Sequence, residues 1–224
     1  MIVGIDATTV NSDGGIEHLT QILNEYTEVK GIEKIYIWSQ DTNLNKINNN
    51  KIIKCRNSFL NKNKYLTLIW KIFFFSSQIK LKKCDIVLYC SGYFVNFNNT
   101  KKILIFQNIL PFVKRGFKNF ILKYLYKCSY LFSDGVIFLS NNSRDIIFDQ
   151  FKKNKYEVIP HGVDTRYFNK KSKNFDYKKE EVKLIYVSTI CDYKNQVNLL
   201  KALSINIKKG YELKLTLVGK IDKS

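Results

Sequence analysis

A chain of 224 residues with 45% hydrophobic and 14% aromatic residues has enough apolar material for a buried core, which excludes a disordered chain. The formal net charge is +18, and it is unevenly spread: residues 42–133 hold 17 Lys and Arg residues and one acid, Asp85. Such a cationic field attracts anionic membranes, nucleic acid or phosphorylated substrates, and composition alone does not separate these from simple solubility charge.

The cysteines and the N-terminus bear on the compartment. Five cysteines without a C-x-x-C pair favour a reducing, cytosolic compartment, in which each thiol serves as a small core residue. No basic segment precedes the apolar run at the N-terminus, so we predict no signal peptide. The longest apolar stretch, Tyr65 to Ile79, is interrupted by Lys71 and is too short to span a bilayer, which leaves a buried or an interfacial helix.

The first predicted elements are a strand, Ile2 to Asp6, and a helix that starts at Gly14-Gly15 with Asp13 available to cap it. The helix is indicated by apolar residues at helical spacing. A strand, a glycine-rich turn and a helix N-terminus together form an anion site, because free amides and the helix dipole converge there. A tight turn without a ligand is the alternative interpretation.

Further short apolar runs alternate with helical patterns and predict a doubly wound α/β sheet. Helices are predicted around Tyr65 to Lys82 and over Lys114 to Leu131. The predicted strands are Ile35 to Trp38, Lys51 to Cys55, Asp85 to Tyr89, Ile103 to Phe106, Gly135 to Leu139 and Lys155 to Ile159. Ser140 is a good cap for the helix that follows the Gly135 strand.

Two features of the middle of the chain are candidates for function. Gln107 and Asn108 follow a buried strand, where such sheets place active sites, although the two amides could instead satisfy loop backbone. The predicted helix Lys114 to Leu131 interleaves five Lys and Arg residues with aromatic residues and has no acid. Such a helix either covers the sheet or lies on a membrane surface.

Val158 to Phe168, V-I-P-H-G-V-D-T-R-Y-F, organises the rest of the chain. Pro160 must end a strand, and Gly162 is expected to take backbone angles closed to other residues, so that the chain turns and presents free amides. A polar run, residues 169–181, follows before a predicted β-α-β unit. That unit comprises a strand to Val187, a helix over Asn195 to Ile207 and a strand over Leu213 to Val218.

The chain resembles group 1 (family 4) retaining glycosyltransferases of the GT-B fold in three motifs. These are V-I-P-H-G-V-D, Y-V-S-T-I-C-D-Y-K-N-Q at residues 186–196 and G-G-I-E at residues 14–17. The resemblance implies that Gly14 and Gly15 face the acceptor, often its phosphate. It also implies that Gln107 and Asn108 contact the sugar or acceptor by hydrogen bonds only, because a His common in the family is missing there.

The resemblance implies a nucleotide-diphosphate sugar as donor, with no cofactor and no metal. The family usually has an Arg and, five residues later, a Lys that hold the diphosphate. Lys194 matches the Lys, whereas Thr189 stands at the Arg position. Gly162 is counted with Thr189 and Lys194 as donor-binding, and no catalytic residue is assigned. No D-x-D pair is present, and the two histidines, His18 and His161, are both candidates for ligand contact.

The expected organisation is an acceptor-side Rossmann-like domain over residues 1–168, a linker over 169–181 and the start of a donor-side domain over 182–224. Family members continue further, through an E-x7-E segment that contacts the donor. The sequence therefore predicts the first β-α-β unit of a truncated donor domain, which cannot form an independent core.

The resulting functional prediction is a retaining, metal-independent transferase, or a fragment of one, acting on a glycan or lipid-linked acceptor in polysaccharide biosynthesis. It is expected in the cytoplasm, with peripheral association at the inner face of an anionic membrane. The alternatives are a catalytically inactive, truncated remnant and, less favoured, a basic nucleic-acid-binding protein. No nucleic-acid-binding signature accompanies the charge, and we therefore expect no nucleic-acid partner.

Overall fold

The computed structural model describes residues 1–11, 13–95, 98–113, 116–148, 155–163 and 181–221. The chain divides into two units, Met1–Gly162 and Val163–Ser224, and each is considered by itself. The predicted linker, residues 169–181, lies outside the described residues apart from Glu181.

The described residues of the first unit form one parallel sheet of seven strands. All predicted strands of this unit are present, with ends shifted by at most two residues. The strands are β1 (Ile2–Asp6), β2 (Lys34–Trp38), β3 (Ile52–Cys55), β4 (Ile86–Tyr89), β5 (Lys101–Phe106), β6 (Gly135–Phe138) and β7 (Tyr156–Val158). Their order is β3-β2-β1-β4-β5-β6-β7, so the chain reverses direction across the sheet between β1 and β4. This order confirms the predicted doubly wound sheet.

Helices connect the strands of the first unit. They are α1 (Asp13–Asn24), α2 (Asp41–Leu44), α3 (Lys64–Phe73), α4 (Phe75–Leu81), α5 (Leu110–Val113), α6 (Phe117–Phe132) and α7 (Asn141–Phe148), with a 3₁₀ helix at Ser58–Asn61. Side chains cap the starts of α3 and α7. The Asn63 side chain accepts hydrogen bonds from the Tyr65 and Leu66 amides at the start of α3, and Ser140 Oγ accepts one from the Ser143 amide, as predicted for α7.

Two predicted helices differ from the observed ones. The expected single helix from Tyr65 to Lys82 is broken at Phe74, where φ is −113°, into α3 and α4. The break allows Phe75 to become fully buried, with its ring centroid 5.2 Å from that of Trp38 and 5.5 Å from that of Trp70. The expected helix from Lys114 begins at Phe117, directly after Gly116 at φ 135°, and residues 114 and 115 lie outside the described residues.

The core of the first unit has two layers, one on each face of the sheet. One layer contains Trp70 and Phe75 together with Tyr126 and Tyr130, so that α3, α4 and α6 cover the same face. The other layer contains apolar residues of α1 and α2, among them Leu19, Leu23 and Leu44. This division follows from the reversal of strand order, because right-handed crossovers in opposite directions place their helices on opposite faces.

The described part of the second unit contains two parallel strands, β8 (Val182–Val187) and β9 (Leu213–Val218), joined through α8 (Gln196–Lys208). A 3₁₀ helix at Asp192–Lys194 precedes α8. The predicted β-α-β unit is therefore present. Ile185 and Val187 on β8 are each 69% exposed, so the described part of this unit leaves apolar strand surface uncovered.

Candidate functional site

The loop after β1 leads to the glycine pair at the carboxyl edge of the first sheet. The helix α1 begins at Asp13, one residue before the predicted start, so Asp13 is a helical residue and the cap position, residue 12, lies outside the described residues. A Cβ atom built on Gly14 would meet no atom of the described residues within 4 Å. Packing therefore does not demand glycine at this exposed position, and the space over the first turn of α1 is open to a ligand.

A buried ion pair anchors this loop. Lys71 Nζ on α3 lies 2.8 Å from Asp6 Oδ2 at the end of β1, and both side chains are fully buried. The other carboxylate oxygen of Asp6 accepts hydrogen bonds from the amide and the hydroxyl of Thr8. Sequence reasoning missed this pair, although the single charge inside the apolar run of α3 was a usable signal, because a buried lysine requires a partner.

Further hydrogen bonds tie the same loop to the strand β2 and to α2. The Ala7 amide donates to the Trp38 carbonyl, Ser39 Oγ donates to the Ala7 carbonyl, and Asn43 Nδ2 donates to the Val10 carbonyl. Ser39 and Asn43 are buried, so these bonds are shielded from water. The loop after β1 is thus held, as far as Val10, before any ligand binds.

Gln107 and Asn108 lie at the same carboxyl edge, directly after β5. Gln107 is half-buried and Asn108 is exposed. The short helix α5 begins two residues after Asn108, and Pro111 occupies its first turn, where a missing amide proton costs little. The two amide side chains are therefore placed at the edge predicted for them, two strands away from β1.

The segment after β7 returns to the start of α1. His161 Nδ1 lies 2.9 Å from His18 Nδ1 on α1, and the two rings meet edge to face with centroids 3.9 Å apart. Burial, and secondarily the neighbouring His161, lower the pKa of His18 below its ordinary value. Sequence reasoning named both histidines but did not predict that they pair.

This histidine contact brings Gly162 close to the residues predicted to face the acceptor. The expectation that Gly162 adopts backbone angles closed to other residues is wrong, because its φ does not lie in the left-handed region. Among the described residues, no atom lies within 4 Å of a Cβ built at Gly162. The glycine therefore leaves open space instead of creating a special turn.

The predicted donor residues of the second unit lie at the carboxyl end of β8. Thr189 follows that strand, and its carbonyl accepts a hydrogen bond from the buried side chain of Gln196, the first residue of α8. The exposed Lys194 ends the 3₁₀ helix, and Asn195 then turns the chain into α8 through left-handed backbone angles. The turn, the lysine and the start of α8 are thus adjacent, and Gln196 is a positioning residue that sequence reasoning missed.

Close approach of the two strand ends shapes the same turn. A Cβ atom at Gly219, which follows β9, would lie 1.8 Å from the Ser188 carbonyl oxygen. Any larger residue would push the end of β9 away from the turn that carries Thr189. Glycine is required at this position for packing, in contrast to Gly14 and Gly162.

Within each unit the structure gathers the predicted residues at the carboxyl ends of parallel strands, with Gly14, Gly15, Gln107, Asn108 and Gly162 in the first unit. Two surface concavities lie instead at the opposite, amino edge of the first sheet, one next to Gly31 and one next to Lys83. The described residues contain no group of three or more His, Cys, Asp or Glu side chains placed to hold a metal ion. No helix in the described ranges has the length and apolar character needed to cross a membrane.

Comparison with known proteins shows the fold. Neither a protein-family model nor a curated protein sequence matches the chain. Solved structures do: S. aureus MnaA, in a co-structure with UDP, is 16% identical, with a TM-score of 0.56, over 100% of this chain and 62% of that chain. Sucrose-phosphate synthase from Thermosynechococcus elongatus is 13% identical, with a TM-score of 0.57, over 99% of this chain and 71% of that chain.

The chain has the GT-B fold. A glycosyltransferase from Rickettsia africae ESF-5 is also similar, at 17% identity and a TM-score of 0.51, over 97% of this chain and 68% of that one. The GT-B likeness extends over both units, since each of these matches covers nearly the whole chain. The chain spans 62% of the length of MnaA.

Proposed function

We propose that this protein is a glycosyltransferase that moves a sugar from a nucleotide-diphosphate donor to a glycan or lipid-linked acceptor, with retention of configuration and without a metal. The observation that carries the proposal is the position of Lys194 between the carboxyl end of β8 and the start of α8. A lysine and a helix N-terminus at one turn favour an anion, and the diphosphate leaving group is such an anion.

The proposed donor site uses Thr189, Lys194 and the backbone around them. Lys194 would neutralise the charge that develops on the leaving diphosphate, while Gln196 holds the Thr189 turn against α8. Because Thr189 has no positive charge, the site has one cation where the resembled family has two. We therefore expect weak donor binding that a second cation would strengthen.

The proposed acceptor site is the carboxyl edge of the first sheet, around Gly14, Gly15, Gln107 and Asn108. The open space over Gly14 and the first-turn amides of α1 suit a phosphate or a hydroxyl-bearing group. A lipid-linked acceptor and action at the inner face of an anionic membrane, in polysaccharide biosynthesis, complete the proposal. Residues 42–133, with 17 basic residues and one acid, support the membrane part through their charge.

Calorimetric titration of the protein with UDP tests the donor site. Removing a charged contact to a phosphate costs about 1.5–3 kcal/mol, so Lys194→Ala should weaken binding by about tenfold or more. Thr189→Arg should strengthen it by about tenfold through the added cation. Lys201 is also an exposed lysine, on α8, so Lys201→Ala is the matched control and should bind UDP like the parent.

The results separate the proposed transferase from the alternatives. The proposed donor site would be contradicted if the parent did not bind UDP, or if Lys194→Ala bound UDP as tightly as the parent. Binding of UDP without transfer of label from a UDP-sugar to an extracted membrane lipid fraction would favour a catalytically inactive binding protein. Tight oligonucleotide binding that falls steeply with salt would revive a nucleic-acid function.

A further inference from the structure

Two helices of the first unit, α3 and α6, turn apolar side chains outward. These side chains recur at intervals of three and four residues, so each helix carries a continuous apolar stripe on its outer side. They are between 46% and 82% exposed. We call the surface that they form the α3–α6 face, defined by Tyr65, Ile69, Phe73, Phe117, Phe120 and Tyr124.

The two stripes belong to one surface. Both helices pack on the same face of the sheet, where Trp70 of α3 and Tyr126 of α6 share one core layer. Tyr93 connects them directly: its ring lies 5.0 Å from Lys71 Nζ of α3, and its centroid lies 5.7 Å from that of Tyr126. Two helices on the same face of the sheet, both with outward aromatic rings, provide apolar surface of the kind that marks a binding interface.

Charge identifies the occupant of this surface. Helices α3, α4 and α6 contain no acidic residue, whereas Lys64 lies at the start of α3 and Lys123 and Lys127 lie on α6. A second copy of the chain would bring the same cationic surface against itself, which is unfavourable. Aromatic and aliphatic residues flanked by lysines, with no acid, match the boundary between headgroups and acyl chains of an anionic bilayer.

We propose that the α3–α6 face docks on an anionic lipid bilayer. This proposal rests on the proposed function, because it names the surface through which the transferase would contact the membrane. Binding of the face to lipid can nevertheless be measured without donor or acceptor.

The topology gives this docking a consequence for the acceptor. Each helix follows its strand and runs back against the strand direction, so the first turns of α3 and α6 lie at the carboxyl edge of the sheet. Phe117, the most exposed of the six residues, is in the first turn of α6, nine residues after Asn108. Docking therefore brings the proposed acceptor edge to the headgroup level, where a lipid-linked acceptor presents its polar end.

Co-sedimentation with vesicles tests the proposal. The protein should bind vesicles of phosphatidylcholine mixed with phosphatidylglycerol and should bind vesicles of phosphatidylcholine alone much less. Two phenylalanines are lost from the interface in F117A/F120A, which should reduce the partition coefficient on anionic vesicles by at least about tenfold. The matched control V197A/I207A removes two exposed apolar side chains of α8 and should bind like the parent.

Several outcomes would overturn the docking. These are equal binding by F117A/F120A and the parent, equal binding of neutral and anionic vesicles, or a dimer in light scattering that F117A/F120A abolishes while vesicles remain unbound. Unchanged near-ultraviolet circular dichroism of F117A/F120A establishes that it is folded. UDP titration separates the two proposals. A parent protein that binds UDP but not anionic vesicles contradicts only the docking, and one that binds vesicles but not UDP contradicts only the donor site. Loss of vesicle binding by F117A/F120A with retained UDP binding supports the docking and leaves the donor site intact.

Discussion

The buried pair of Asp6 and Lys71 makes the most direct test of how the first unit is stabilised. Lys71→Met keeps the length of the side chain and removes the ammonium group. Asp6 Oδ1 retains its hydrogen bonds from Thr8, but Oδ2 loses the ammonium 2.8 Å away and stays fully buried. Removing one partner of a buried pair costs about 3–5 kcal/mol, because the other charge is left uncompensated.

The expected shift in the midpoint of thermal unfolding follows from the size of the unit. At about 2–4 °C per kcal/mol for 150–250 residues, Lys71→Met should lower the midpoint of thermal unfolding by about 6–20 °C. Replacing the carboxylate as well, in D6N/K71M, should recover most of the loss, since an amide is cheaper to bury than a charge and still accepts from Thr8. Lys80→Met, at an exposed lysine on α4, should stay within about 0.5 kcal/mol of the parent.

Tryptophan fluorescence during urea unfolding is the assay. The chain has two tryptophans, and both Trp38 and Trp70 are buried in the first unit, so the signal reports that unit alone. A loss below about 1 kcal/mol for Lys71→Met would mean that the pair is not the buried ion pair described above. So would a double variant no more stable than the single one.

Three further predictions concern ionisation and the glycine pair. The folded protein holds the pKa of His18 below its ordinary value of 6.5, so the unfolded chain takes up the proton first as pH falls. Stability from this group is thus present above about pH 6.5 and is lost as pH falls through the lowered pKa. The free energy of urea unfolding should therefore be lower at pH 5.5 than at pH 7.5, and His18→Asn should reduce this difference. An unchanged difference in the variant would refute the prediction. Burial raises the pKa of the Cys90 thiol to about 12, so in native protein this cysteine should resist alkylation, by mass spectrometry, until urea exposes it; rapid native labelling would contradict this. Gly14→Ala should leave the unfolding midpoint unchanged or slightly raised, because its Cβ would meet no atom of the described residues within 4 Å. The same variant should reduce sugar transfer to a lipid acceptor, and lower stability with unchanged transfer would show a structural role.

Local patterns in the sequence determined much of the fold. Continuous apolar runs predicted the strands of the first unit and the β-α-β unit of the second, because strands covered on both faces need such runs. The sequence also predicted correctly where the glycine pair, Ser140 and Lys194 lie relative to their strands and helices, because caps and turns depend on neighbouring residues. The carboxyl-edge position of Gln107 follows once the sheet is parallel.

Tertiary structure alone decided the contacts between distant parts of the chain. The pairing of Asp6 with Lys71 depends on strand order, which connects groups that no local pattern links. The pairing of His18 with His161 depends on the segment after β7, which returns to α1 although three strands separate β7 from β1. The break at Phe74 has the same origin, because only the position of Trp38 and Trp70 makes burial of Phe75 favourable enough to interrupt a helix. The sequence showed that α3 and α6 are rich in aromatic and basic residues. Which of those residues face outward, on one shared surface, depends on how both helices pack on the sheet.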